Sequence, residues 1–288
     1  APEKMEKLPP KTPRPYQQEA IDDVIAGFEK ADRGKLIMAC GTGKTFTALK
    51  LAEEMVPEGG TALFMVPSIS LLSQTVREWT AECERPLRCF AVCSDVKVGK
   101  RKKSDSEDIS VTDLAIPAST DSEQLAQKFY EIEVEDKGFT AVFSTYQSIG
   151  VIGEAQNSKW GSGIPEFDLI ICDEAHRTTG VTLEGKEESA FVRVHANTFV
   201  KGKRRLYMTA TPRVYGEAAQ SKAVDAGAIL ADMGDPTYYG EEFHRLNFAT
   251  AVENDILTDY KVLVLAVDEG HISRQFQGLL ASGENELG

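Results

Sequence analysis

Short apolar runs alternate with amphipathic stretches along most of the chain. The runs fall at 36–39, 61–66, 87–92, 140–144, 169–172, 205–209 and 262–267, and each predicts a strand. Several are apolar without a break, as strands covered on both faces should be. Helical spacing predicts α-helices over 45–55, 70–81, 122–132 and 188–199. Another is predicted over 15–31, with Ile21, Val24, Ile25 and Phe28 on one face. Pro9, Pro10, Pro13 and Pro15 precede it as an extended lead-in. This alternation predicts an α/β fold, a mostly parallel sheet with helices on both faces. Ligands of such sheets bind beyond the carboxyl ends of the strands. The polar stretch 94–137 breaks the rhythm and reads as a surface insertion with one helix inside it.

Composition narrows the picture. The chain has 288 residues, 42% hydrophobic and 27% charged, which suits one large soluble domain or two small ones. Its 45 acidic and 32 basic residues leave a net charge of −13. That excludes a polycationic nucleic-acid coat and argues against binding to an anionic membrane. The imbalance is uneven: residues 217–288 carry 13 acidic and 4 basic groups, net −9. An anionic ligand is therefore expected to meet the first three quarters of the chain. The insertion opens with Lys97, Lys100, Arg101, Lys102 and Lys103, which either touch a nucleic-acid backbone or form a solvated loop. Five cysteines show no CxxC and no zinc spacing, so they read as thiols of a reducing compartment. No apolar run reaches membrane-spanning length, and the protein is expected to be cytoplasmic. The start at Ala1 and the polar, glycine-containing end read as those of a piece of a longer polypeptide.

Two segments carry chemistry. After the run 36–39 come Gly41, Thr42, Gly43, Lys44 and Thr45, and then a helix. Glycines there let successive N–H groups turn inward around phosphate, and the helix dipole adds to the same point. Lys44 suits β- and γ-phosphates, and the Thr45 hydroxyl suits Mg²⁺. The full phosphate-loop pattern wants Gly where Met38 stands. After the run 169–172 come Asp173, Glu174, Ala175 and His176. Asp173 is placed to hold Mg²⁺ and Glu174 to orient and deprotonate water. Such a pair alone would equally well be a helix N-cap.

With both segments in order, the chain resembles the first RecA-like P-loop NTPase domain of superfamily-2 helicases and translocases. The resemblance spans about 14–267, leaving 1–13 as the lead-in and 268–288 as the start of a linker or incomplete second domain. It implies that Arg14 and Gln17 belong to an adenine-reading motif, with Gln17 as base reader. It implies nucleic-acid contacts at Pro67, Ser68 and Thr145, and a DEAH box at 173–176. Thr209 and Thr211, with His176, are implied to couple the ATP site to the nucleic-acid track. Each of these also has a plain local reading as a cap or turn residue.

The wording at 173–180 and 207–213 resembles the motors of bacterial restriction enzymes, either the single-chain Type ISP enzymes or the Type I motor subunits. The implied function is an ATP-dependent DNA translocase, with ATP and Mg²⁺ as cofactors. Implied partners are DNA, held by its backbone, a second RecA-like domain, and nuclease and methyltransferase domains. No arginine-finger motif follows 267, so weak hydrolysis is expected of this stretch alone. A DEAH-type RNA helicase and a nucleotide-gated binding module without turnover are the competing readings. Arg177, Lys201, Lys203, Arg204, Arg205 and Arg213 either add positive potential to the track or are solvated strand-flanking charge.

Overall fold

A computed structural model describes residues 11–93, 118–131, 138–159, 161, 163–183, 191–216 and 228–259. Helix α1 (Pro15–Phe28) begins at a proline, whose fixed φ suits a first helical turn. It leads to β1 (Arg33–Met38), α2 (Lys44–Met55), β2 (Thr61–Val66), α3 (Ile69–Glu82) and β3 (Leu87–Val92). Then follow β4 (Ala118–Ser119), α4 (Ser122–Tyr130), β5 (Phe139–Thr145), α5 (Ile149–Gln156) and β6 (Leu169–Cys172). The last strands are β7 (Gly180–Leu183), β8 (Arg205–Thr209), β9 (Ala228–Ala231) and β10 (Glu241–Leu246). Short helices Pro236–Tyr239 and Phe248–Glu253 flank β10.

Eight strands form one sheet in the order β10-β1-β8-β6-β2-β5-β3-β4. Every neighbouring pair is parallel. β7 and β9 pair antiparallel as a separate ribbon. Strands β2, β5, β6 and β8 are buried at every position, which explains their unbroken apolar runs.

Side chains alternating across the strands feed two cores. Ala62, Phe64 and Val66 face α1, α2 and α3, where Trp79 packs edge-on against Phe64 and Phe143. Leu63 and Met65 face the other side, with Leu125 of α4, Ile152 of α5, Val194 and Val200.

The expected α/β sandwich is thus observed, with two corrections. Among the described residues of 188–199 there is no α-helix, only a short 3₁₀ turn at Arg193–His195. The Val194 carbonyl of this turn, with two beyond it, is taken by a side chain. The guanidinium of Arg205, 1% exposed, donates to Val194 O, Val200 O and Gly202 O. An apolar face there reflects burial in a loop rather than helical repeat. The second correction is β10, an edge strand that no apolar run announced, exposed at Glu241 and Glu242. The expected strand at 262–267 and most of the insertion lie outside the described residues, although α4 falls within the insertion as foreseen.

His195 locks this loop to the sheet. Its Nε2 donates to Thr178 O at 3.2 Å, so Nδ1 accepts from the Tyr207 hydroxyl at 2.9 Å. Burial, with Arg33 and Arg205 charge nearby, pushes its pKa down from 6.5 to about 4. The neutral ring therefore contributes stability that is complete above pH 6.5 and lost as pH falls toward 4. The loss approaches about 3 kcal/mol. Replacing His195 by Gln should flatten this part of the melting temperature's pH dependence. An unchanged acid slope in thermal denaturation would contradict the assignment.

Candidate nucleotide and nucleic-acid site

Parallel pairing brings the carboxyl ends of β1, β8, β6, β2 and β5 side by side. The segments that follow them therefore share one edge of the sheet, and they contain nearly all the candidate residues.

The loop between β1 and α2 is bent by glycines. Gly41 and Gly43 have φ of 85° and 83°, in the left-handed region that other residues avoid. A Cβ on Gly43 would stand 2.5 Å from Gln17 Nε2. The Thr42 hydroxyl donates to Ala39 O at 2.7 Å. Thr42 O in turn accepts from Gln17 Nε2 at 3.0 Å and from the Tyr16 hydroxyl at 3.1 Å. Helix α1 thus clamps the loop from one side. Gln17 Oε1 accepts from Arg14 N at 2.9 Å, closing the first turn of α1. Lys44 Nζ rests on Met38 O at 3.3 Å, folded over the strand end. Thr45 lies in the first turn of α2, and its carbonyl accepts from Trp79 Nε1 at 3.2 Å. Met38, where the phosphate-loop pattern wants Gly, is a fully buried core residue of β1. The sequence pointed to Arg14 and Gln17 but not to Tyr16, which stands between them in the same motif.

Past β6 the chain turns sharply. Asp173 is 6% exposed, and its backbone N–H donates to Met65 O of β2 at 2.9 Å. Its Oδ1 accepts from Glu174 N at 2.9 Å. Glu174 has φ of 49°, a left-handed conformation costly for a residue with a Cβ. Burial, then the Glu174 charge, pushes the Asp173 carboxyl up to about 6; the Glu174 N–H and the Lys44 charge pull it down. One strand, β8, separates the strand of Lys44's loop from that of Asp173.

The expected coupling residues form one chain of contacts. His176 Nδ1 lies 3.3 Å from Glu174 Oε2 and 2.9 Å from Thr209 Oγ1. Thr209 Oγ1 also accepts from Thr211 N at 3.1 Å. The acidic loop and the end of β8 are therefore connected through a single imidazole.

The expected nucleic-acid contacts divide. Ser68 is exposed and caps α3, its Oγ accepting from Leu71 N at 3.3 Å. Pro67 is buried beside it. Thr145 is 4% exposed and its hydroxyl donates to Ser148 Oγ at 3.2 Å. Of the basic residues, Arg177 is exposed at this edge, and Arg213 lies over the Tyr215 ring. Lys201, Lys203, Arg204 and Arg205 precede or open β8, at the opposite edge of the sheet. Lys203 pairs with Asp168 at 2.7 Å, and Arg205 is buried. These four add no potential to a track at the carboxyl edge.

The family described as Type III restriction enzyme, res subunit, matches residues 10–214. The chain is similar to the ATP-dependent Type ISP restriction-modification enzyme LlaBIII, solved bound to DNA. Identity is 48% and the TM-score 0.76, over 96% of this chain and 18% of that one. It is similar to a nuclease-deletion mutant of the Type ISP enzyme LlaGI, solved with a DNA substrate mimic. There identity is 42% and the TM-score 0.66, over 85% of this chain and 21% of that one. The probable helicase A859L of African swine fever virus (isolate Pig/Kenya/KEN-50/1950) is 30% identical over 200 residues, 69% of this chain and 19% of that protein. The chain therefore spans about a fifth of the length of these relatives.

The loop geometry makes a direct demand on Gly43. Alanine there would meet the left-handed penalty and displace Gln17 from Thr42 O, a loss of about 2 kcal/mol. A lower denaturation midpoint for Gly43→Ala is expected; an unchanged one would show that the loop relaxes freely.

Proposed function

The chain belongs to the family of the Type III restriction enzyme res subunit, and from that premise we propose that it is a RecA-like ATPase motor domain of a DNA translocase. One observation carries the reading. A glycine-bent phosphate loop after β1 and a carboxylate pair after β6 share one sheet edge, with only β8 between their strands. The DNA-bound Type ISP structures support DNA as the track. Within this reading residues 14–267 form the first motor domain, with a second RecA-like domain, a nuclease and a methyltransferase as partners. Among the described residues no helix is long and apolar enough to cross a membrane.

ATP would lie with its phosphates on the N–H groups of 41–45 and the N-terminus of α2. Lys44 would leave Met38 O to neutralise β- and γ-phosphate charge. Gln17 spends one donor and one acceptor on Thr42 and Arg14. That leaves one amide N–H and one lone pair, complementary to adenine N7 and N6.

The residues fit Mg²⁺. Asp173 is a desolvated carboxylate beside Glu174, and a cation would offset both penalties. Thr45 and Asp173 would hold the ion, and its charge would stabilise the transferring phosphoryl group. Glu174 would orient and deprotonate the attacking water. His176, Thr209 and Thr211 would carry the state of that site to the end of β8. DNA phosphates would meet the exposed Ser68 and the backbone at Pro67 and Thr145, contacts that fix register without reading sequence. Such contacts suit an acidic domain.

Three measurements test this in the full-length protein. Lys44→Ala should abolish ATP binding by titration calorimetry. Glu174→Gln should bind ATP within a few-fold of wild type and lose about 10²-fold or more in turnover. Duplex DNA, but not RNA of matched length, should stimulate hydrolysis. Wild-type turnover in Glu174→Gln would contradict the role of Glu174, and stimulation by RNA alone would contradict the track.

A further inference from the structure

The buried hydroxyl of Tyr146 reaches the acidic loop. Tyr146 is fully buried and opens the 3₁₀ turn Tyr146–Ser148, one residue beyond β5. Its ring stacks on Phe191, with centroids 5.2 Å apart. Its hydroxyl donates to the backbone carbonyl of Asp173 at 2.8 Å. β5 and β6 are not neighbours, because β2 lies between them. The side chain thus bridges a gap of about 10 Å between strand ends.

What it holds is specific. The peptide joining Asp173 to Glu174 has its carbonyl on Tyr146 and its N–H on Asp173 Oδ1. Glu174, at φ 49°, lies just beyond that peptide. Rotating the peptide would release Glu174 from the left-handed region and break both of these hydrogen bonds. The hydroxyl of Tyr146 therefore favours the strained arrangement of this peptide group.

The other end of the bridge is the nucleic-acid side. Tyr146 follows Thr145, which pairs with Val66 of β2 next to Pro67 and Ser68. The exposed Gln147 turns back the other way, its Nε2 3.5 Å from Pro67 O. A phosphate backbone seated at Ser68 and on this turn would press on the residue that fixes the Asp173–Glu174 peptide.

We propose that Tyr146 is a positioning residue that transmits occupancy of the nucleic-acid track to Glu174 by holding the Asp173–Glu174 peptide. This rests on the motor reading above. The test compares wild type with Tyr146→Phe, which keeps the ring and removes the donor, and with Gln147→Ala at the exposed end. ATP turnover of the full-length protein is measured without DNA and with saturating duplex DNA, alongside ATP affinity and the melting temperature. The ratio of stimulated to unstimulated turnover should fall about fivefold in Tyr146→Phe, the size of one lost neutral hydrogen bond. It should fall in Gln147→Ala too, and no further in the double variant. A purely structural tyrosine would lower the melting temperature and leave the ratio at its wild-type value, which would overturn the proposal. Additive losses in the double variant would also overturn it. A wild-type protein that hydrolyses ATP without any response to DNA would sink the motor reading itself.

Discussion

Parallel pairing of the central strands governs this molecule. Each parallel connection must carry the chain back across a sheet face, which buries both faces and leaves the strand ends aligned. The order β1-β8-β6-β2-β5 sets the neighbours at the carboxyl edge. The glycine loop, the threonines after β8, the acidic turn after β6, Pro67 and Tyr146 follow one another along it. Apart from Arg14, Tyr16 and Gln17, which α1 brings to the glycine loop, the candidate site needs only that alignment and a local turn at each residue.

Those local turns run against stability. Asp173 is buried and pushed up to about 6, Glu174 stands in a left-handed conformation, and Gly41 and Gly43 do likewise at lower cost. Neighbours hold these conformations. Tyr16 and Gln17 fasten the glycine loop, and Tyr146 and Asp173 fasten the acidic peptide. His176 ties the acidic loop to Thr209. Strain gathered at one edge and held by several elements is characteristic of functional sites.

Much of this is legible in the sequence. Strands covered on both faces read as unbroken apolar runs, and glycines before Lys44 read as a phosphate loop because few other residues fit there. What was hidden shares a cause: the partner lies far away in sequence. Nothing local shows that Arg205 collects the carbonyls of Val194, Val200 and Gly202 in a loop. Nothing local shows that Lys203 spends its charge on Asp168 at the wrong edge of the sheet. β10 carries no apolar run because it is an edge strand whose Glu241 and Glu242, on opposite faces, are both exposed. Nothing local shows that the Tyr146 hydroxyl reaches Asp173 O.

The central claim is that the carboxyl edge is built to receive nucleoside triphosphate. A crystal structure with a non-hydrolysable ATP analogue and Mg²⁺ tests it most directly. The account predicts phosphates on the N–H groups of 41–45, Lys44 Nζ moved from Met38 O to a phosphate oxygen, and the base against Gln17. An analogue bound at another edge, or Lys44 still resting on Met38 O with the loop occupied, would contradict it.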